Sequence, residues 1–314
     1  MAQPFSSSLS VPAPGGTLHV ALAGAPPGTP GVVVVIAAHG ITGSHVTWAP
    51  VARHLGDAVT FLAPDLRGRG QSVDVGGPYG MAAHAADLVA ILDHVGCEQA
   101  VVAGHSMGGY IVARFAADAP DRMAAGVLVD GGLPLPVPPD VDPDVLLALV
   151  LGPSLARLQM TFPSGEAYRD FWRAHPAFSS NRWTDDVCAF IDYDLAPPET
   201  GPDGQTVYRS RVSEDAVRAD GRDLLDGDGT GKALQALPDP SAMLLVILRA
   251  APRNCSAKRY RCRFSKPSAK RKRFVPASAP RFHISKSSNR NCLSAISSSS
   301  ELFARVSLLP APRL

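Results

Sequence analysis

Three segments limit what this chain can fold into more than any other feature: GVVVVIAAHG at 31–40, AVTFLAPD at 58–65 and QAVVAGHS at 99–106. Each is apolar almost throughout and two are rich in β-branched residues, so none can be a strand with one wet face. They read as strands buried on both faces of a parallel sheet. Between them lie patterns with apolar residues at helical spacing: SHVTWAPVARHLG closing on Gly56, MAAHAADLVAILDHVG at 81–96 and MGGYIVARFAADAP ending at Pro120. AAGVLVDGG at 124–132 is a further buried strand, and GTLHVALAG at 16–24 alternates as an early one. Alternation of this kind predicts an α/β chain with a mostly parallel central sheet and helices on both faces. Ligands of such sheets bind beyond the carboxyl ends of the strands. Three of those ends carry His39-Gly40, Gly104-His105-Ser106 and Asp130.

The alternation pauses after Gly132. LPLPVPPDVDPD is a proline-rich hinge, and the following hundred or so residues read as helices and loops before MLLVILRA returns to a buried strand. A helical insert between two strands of one sheet is expected to lie over the strand ends as a lid. Its aromatic residues, among them Tyr168, Phe171, Trp172, Phe178, Trp183 and Phe190, read first as the core of that insert, with some available to line a pocket. The expected organisation is a core part at 1–133, a helical lid at 134–236, a returning core strand at 237–250 and a basic, Ser-rich tail at 251–314.

Charge separates the tail from the rest. Residues 1–250 hold 15 Lys and Arg against 27 Asp and Glu; residues 251–314 hold 15 against the single acid Glu301. All 28 glycines lie in the first part and none in the tail. The runs KRYRCR and KRKR could bind nucleic acid or an acidic membrane, or mark a localisation or linker segment. Loss of glycine, of acids and of hydrophobic pattern at one place near Arg249 needs only one event, so the tail is read as disordered or out-of-frame sequence. The acidic body argues against a nucleic-acid partner. No apolar run is long enough to span a bilayer, and the N-terminal MAQPFSSSLSVPAPGG has no signal-peptide pattern. Cys97, Cys188, Cys255, Cys262 and Cys292 fit neither a zinc motif nor a disulfide framework, as expected of isolated thiols in a cytoplasmic protein.

Gly104-His105-Ser106-Met107-Gly108 is G-x-S-x-G at a strand-to-helix junction. A sharp turn there strains the serine backbone and demands small neighbours, which Gly104, Gly108 and Gly109 supply. The hydroxyl then stands at a helix N-terminus, where N–H groups favour developing negative charge. Ser106 is thus the candidate nucleophile.

Together HGITGSHVTW, PDLRGRGQS, GHSMGG and VLVDGG stand in the order and spacing of the α/β-hydrolase superfamily, and the chain resembles its lidded esterase, lactonase and haloperoxidase-like branch over about residues 17–250. The resemblance implies a serine hydrolase acting on a small ester, lactone or related acyl compound, with no metal and no organic cofactor. It also implies an oxyanion hole from the backbone N–H groups of Ile41 and Met107, a loop-shaping role for His39, a packed supporting role for His105, and a turn fixed through Asp65 and Arg67. A serine nucleophile argues against the epoxide hydrolase and dehalogenase chemistry of this fold, which uses aspartate.

The rest of the triad is harder to find. The family's acid usually follows the strand after the lid, but APRNCSAKRYRCRFSKPSAKRKRF contains no Asp or Glu. Asp130 has two readings, as the acid from an alternative family position or as a loop carboxylate capping Gly131-Gly132. The histidine after that strand is His283, in PRFHISKSSNR, a base if the tail folds back and a solvated residue otherwise. A catalytically impaired relative, or a ligand-binding protein without a complete triad, is the alternative reading.

Overall fold

The computed structural model describes residues 4–133, 141–175, 178, 183–225 and 243–246. The elements in chain order are β1 (Ser7–Ala13), β2 (Gly16–Gly24), β3 (Val33–Ala38), α1 (Ala49–Leu55), β4 (Val59–Pro64), α2 (Met81–His94), β5 (Ala100–His105), α3 (Met107–Asp118) and β6 (Met123–Val129). After them come α4 (Pro143–Leu151), the single turn α5 (Pro153–Ala156), α6 (Gly165–Arg173), α7 (Asp185–Tyr193), β7 (Glu199–Thr200), β8 (Thr206–Val207), α8 (Glu214–Leu225) and β9 (Met243–Val246).

Seven strands form one sheet in the order β1-β2-β4-β3-β5-β6-β9. The five from β4 to β9 run parallel, and β1 and β2 are antiparallel additions. The apolar runs are legible as strands because each supplies both faces. Ile36, Leu62 and Val102 pack into one core with Leu88, Ile91 and Leu92 of α2 and Ile111, Val112 and Phe115 of α3. Their neighbours Ala37, Phe61 and Ala103 point the other way, onto Trp48 and Ala52 beside and within α1. Period two in the strands therefore feeds two helix layers. Each fully buried Leu or Ile adds about 1.5–3 kcal/mol of transfer free energy to this sandwich.

Strand β1 lies in a stretch that carries no strand signal in the sequence. Among its residues only Val11 is buried, so SSLSVPA has no apolar alternation to reveal it. Between β6 and β9 the described residues form helices α4 to α8 and the β7–β8 hairpin. Phe162, Tyr168, Trp172, Phe178, Val187 and Ile191 form a core of their own there, as the first reading of the aromatics expects. No helix among the described residues is long and apolar enough to cross a membrane. The returning strand is described at Met243–Val246, paired with β6. His283 and the whole tail from 251 lie outside the described residues.

Candidate active site

Only Ser106 separates β5 from α3, and its backbone turns the chain at φ 54°, ψ −119°. A non-glycine residue rarely occupies this region, and it persists only where the surroundings hold it. Those surroundings are specific. The Ser106 N–H donates to the Val129 carbonyl at 2.9 Å, and the Ser106 carbonyl accepts from the Gly109 N–H at 2.9 Å. A Cβ at Gly104 would collide with the Gly108 carbonyl, one at Gly108 with the Ala38 carbonyl, and one at Gly131 with the Ser106 carbonyl. Three backbone segments thus close on the turn with no room for side chains.

Asp130 ends the adjacent strand; His105 and Val129 are register partners. Among the described residues, Ser106 and Asp130 are the two non-glycine residues with positive φ. Burial pushes the Asp130 carboxyl above the usual carboxylate range. The Tyr110 hydroxyl, itself desolvated and near Asp130, is pushed up to about 12. Desolvation lowers His105 to about 4.

The loop after β3 packs against the serine, since a Cβ at Gly40 would stand 3.5 Å from that of Ser106. His39 shapes this loop. Its Nε2 accepts from the Leu66 N–H at 3.0 Å, which leaves Nδ1 to donate to the Gly40 carbonyl at 2.8 Å. Complete burial lowers this histidine to about 3, so it stays neutral. The Gly40 carbonyl also accepts from Gly43 N–H at 2.9 Å. Among the described residues, the N–H groups of Ile41 and Met107 donate to no carbonyl in the turns and loops.

PDLRGRGQS forms the turn expected of it, through separate partners. Asp65 accepts from the N–H groups of His45 and Gln71, from the His45 ring at 3.0 Å and from the Tyr193 hydroxyl at 2.5 Å. Burial opposes its ionisation, but the His45 hydrogen bonds outweigh that and hold it at about 2. Arg67 pairs with Asp87 and donates to the carbonyls of Gly76 and Pro78. Among the described residues, His19, His45 and Asp65 form a group whose ligand atoms lie within 4.8 Å of one another, close enough to hold a metal ion. With four donors on its carboxylate, Asp65 is committed to the turn.

His84 and Asp220 carry no sequence signal, and Arg69 stands inside PDLRGRGQS with no role read for it there. Arg69, fully buried, donates from Nε to the Ile41 carbonyl at 2.9 Å and pairs through Nη1 with Asp220 of α8 at 2.5 Å. Asp220 also accepts from the His84 ring at 2.9 Å and the Gly80 N–H at 2.6 Å. The Arg69 guanidinium, with the hydrogen bonds from His84 and the Gly80 N–H, holds its carboxyl well below the usual range against the cost of burial.

Residues 33–164 match the model of the alpha/beta hydrolase fold family. The chain is 38% identical over 108 residues to the lipase LipV of Mycobacterium tuberculosis, covering 34% of this chain and 41% of that protein. It is 38% identical over 115 residues to RutD of Caulobacter vibrioides, named for carbamate hydrolysis, covering 36% and 42%. The matched region thus spans about two fifths of the length of these relatives. Among solved structures, E-2-(acetamidomethylene)succinate hydrolase superimposes with a TM-score of 0.53 over 77% of this chain and 91% of that one, at 21% identity, a likeness of fold alone. The sheet order, the strand–Ser–helix turn and these matches give the chain the α/β-hydrolase fold, with the family model matched over residues 33–164.

Proposed function

We propose that the chain is a serine hydrolase of small esters, lactones or related acyl compounds, with Ser106 as nucleophile. The observation that carries this reading is the strained Ser106 backbone, enclosed by Gly104, Gly108 and Gly131. A turn without chemistry has no need of a costly conformation on a polar residue. In this reading the Ile41 and Met107 N–H groups receive the oxyanion, each donor contributing on the order of 3 kcal/mol to the transition state. In this reading the insert at 134–236, of which helices α4 to α8 are described, acts as a lid over the strand ends. The relatives named for lipase and carbamate hydrolase activity favour an acyl or carbamoyl substrate. The free thiols Cys97 and Cys188 favour a cytoplasmic setting.

A second reading, an impaired relative, is favoured by the tail, in which Glu301 is the one acid and His283 the one histidine. Asp130 and His283 would complete the triad in the first reading, and neither would act in the second.

The test is labelling with a fluorophosphonate probe. Ser106 should be modified, and Ser106→Ala should abolish the label. Label that persists in Ser106→Ala would exclude Ser106 as the reactive group. Both readings expect labelling, because the turn and its N–H donors do not depend on the base.

A further inference from the structure

Apart from the Ser106 turn, His19, His45 and Asp65 stand together on three segments: His19 in β2, His45 in the connection after β3 and Asp65 just past the end of β4. Backbone bonds hold them there. The Asp65 N–H donates to the His19 carbonyl at 2.8 Å, the His45 N–H to Asp65 Oδ1 at 2.8 Å, and the His19 N–H to the Ser72 hydroxyl at 2.9 Å. One ring nitrogen of each histidine and a carboxylate oxygen all lie within 4.8 Å of one another, and His45 Nδ1 is 3.0 Å from Asp65 Oδ1.

Two imidazoles and a carboxylate are a donor set for a zinc-type cation, held at about 2.0–2.2 Å in a tetrahedron whose ligand atoms stand about 3.3–3.5 Å apart. The His45–Asp65 pair is already close to that spacing. Bringing in the third atom asks for a shift of at most about 1.5 Å from the observed 4.8 Å, and His19, the half-buried member of the three, has room to make it. Asp65 keeps its place meanwhile. Of its four donors, the N–H groups of His45 and Gln71 and the Tyr193 hydroxyl hold the turn, and only the His45 ring is exchanged. That ring passes from donating to Asp65 to offering its Nδ1 lone pair, with its proton on Nε2. Phe5 and Tyr193 stand edge-on to the His45 ring, with centroids at 5.0 and 4.6 Å. They keep water from that side, which strengthens the attraction between a cation and the carboxylate. Three protein ligands leave the fourth position of the ion to a water.

We propose that His19, His45 and Asp65 form a site for a zinc-type divalent cation that ties β2, the connection after β3 and the end of β4 into one unit. The site shares no residue with the Ser106 turn, and the ion takes no part in acyl transfer. Its role is to clamp the fold, because a ligand bound by the folded chain adds its binding free energy to that of folding.

The experiment uses the full chain, stripped with a chelator and titrated with Co²⁺ as an optical stand-in for Zn²⁺. Cys97, Cys188, Cys255, Cys262 and Cys292 compete for such ions, and thiolate ligation shows itself as a strong near-ultraviolet charge-transfer band. Expected for wild type is a first equivalent with the visible bands of a nitrogen–oxygen site and no thiolate band. His19→Ala should bind it about ten-fold or more weakly, and His19→Cys should regain binding and add the thiolate band. Zn²⁺ at about a hundred times its wild-type dissociation constant should shift the folding equilibrium of wild type about a hundred-fold, read from the urea midpoint, and that of His19→Ala about ten-fold or less. Equal affinity in wild type and His19→Ala overturns the proposal. So does a first equivalent that carries the thiolate band in wild type, or no bound ion at all. A tightly bound ion that leaves the urea midpoint in place overturns the clamp. Should His19→Ala fail to fold, His19→Cys carries the test, and a cobalt spectrum without its thiolate band overturns the site.

Discussion

Replacing Ser106 by glycine removes the hydroxyl and also the Cβ that makes φ 54°, ψ −119° costly. A residue held in such a region stores about 1–3 kcal/mol. Glycine returns about 0.4–1 kcal/mol of this through the greater freedom of its unfolded chain. Among the described residues the Ser106 Oγ makes no hydrogen bond, so nothing else is lost. The net expectation is a gain of about 1 kcal/mol, or a rise in Tm of about 2–4 °C for a domain of this size. Ser106→Ala keeps the Cβ and should leave stability within about 0.5 kcal/mol of wild type. Urea denaturation of the three proteins side by side decides the matter. A Ser106→Gly protein no more stable than Ser106→Ala would refute the idea that strain is stored at this turn.

Four further outcomes are expected. Gly108→Ala drives a Cβ into the Ala38 carbonyl and should cost about 3 kcal/mol or more, read from the urea midpoint. Asp194→Ala leaves the buried Arg157 without its partner and should cost about 3–5 kcal/mol, read the same way. Burial lowers His39 from 6.5 to about 3 and His105 to about 4, so the unfolded chain takes up protons that the folded chain refuses. Stability is whole above pH 6.5 and falls as the pH drops towards 4, by at most about 1.4 kcal/mol per unit for each histidine; His39→Gln should remove one proton from that slope in a pH series of denaturation curves. Asp65, held at about 2, adds nothing until the pH falls below its unfolded value of 3.8. Hydrolysis of p-nitrophenyl acetate separates the two functional readings. A working triad predicts a loss of about a hundred-fold or more in both Asp130→Asn and His283→Ala, and the impaired reading predicts a low rate that His283→Ala leaves unchanged.

The sheet was legible wherever a strand supplies both faces. GVVVVIAAHG and QAVVAGHS have no polar face to hide, so their period and their place in the order could be read directly. β1 was not, because only Val11 of it is buried. The turn at Ser106 was legible because steric exclusion leaves a local mark, three glycines within six residues. The positive φ of Asp130 was not, and the close approach of the following Gly131 to the Ser106 carbonyl joins positions 25 residues apart, which leaves no local mark. The pairing of Arg69 and His84 with Asp220 was invisible for a different reason. Charged residues in a sequence read as solvated, and the partner that buries Arg69 lies in a helix reached only through the insert.

The bonds that fasten the helical segment span long stretches of chain. Asp65 meets Tyr193 across 128 positions, Gly80 meets Asp220 across 140, and Met81 meets Asp223 across 142. Each must close a large loop before it returns any free energy, as must the apolar contact of Ile41 with Leu155, Val212 and Val217. The sheet, by contrast, pairs β3 with β4 and β5 with β6 over short connections. Assembly should therefore run in two stages, with the sheet and its helices first and the insert, with its private aromatic core, seated last. In the mature protein the same order runs backwards. The insert should open as a separate cooperative unit at a free energy below that of global unfolding, and limited proteolysis should cut within it while β3 to β6 remain intact.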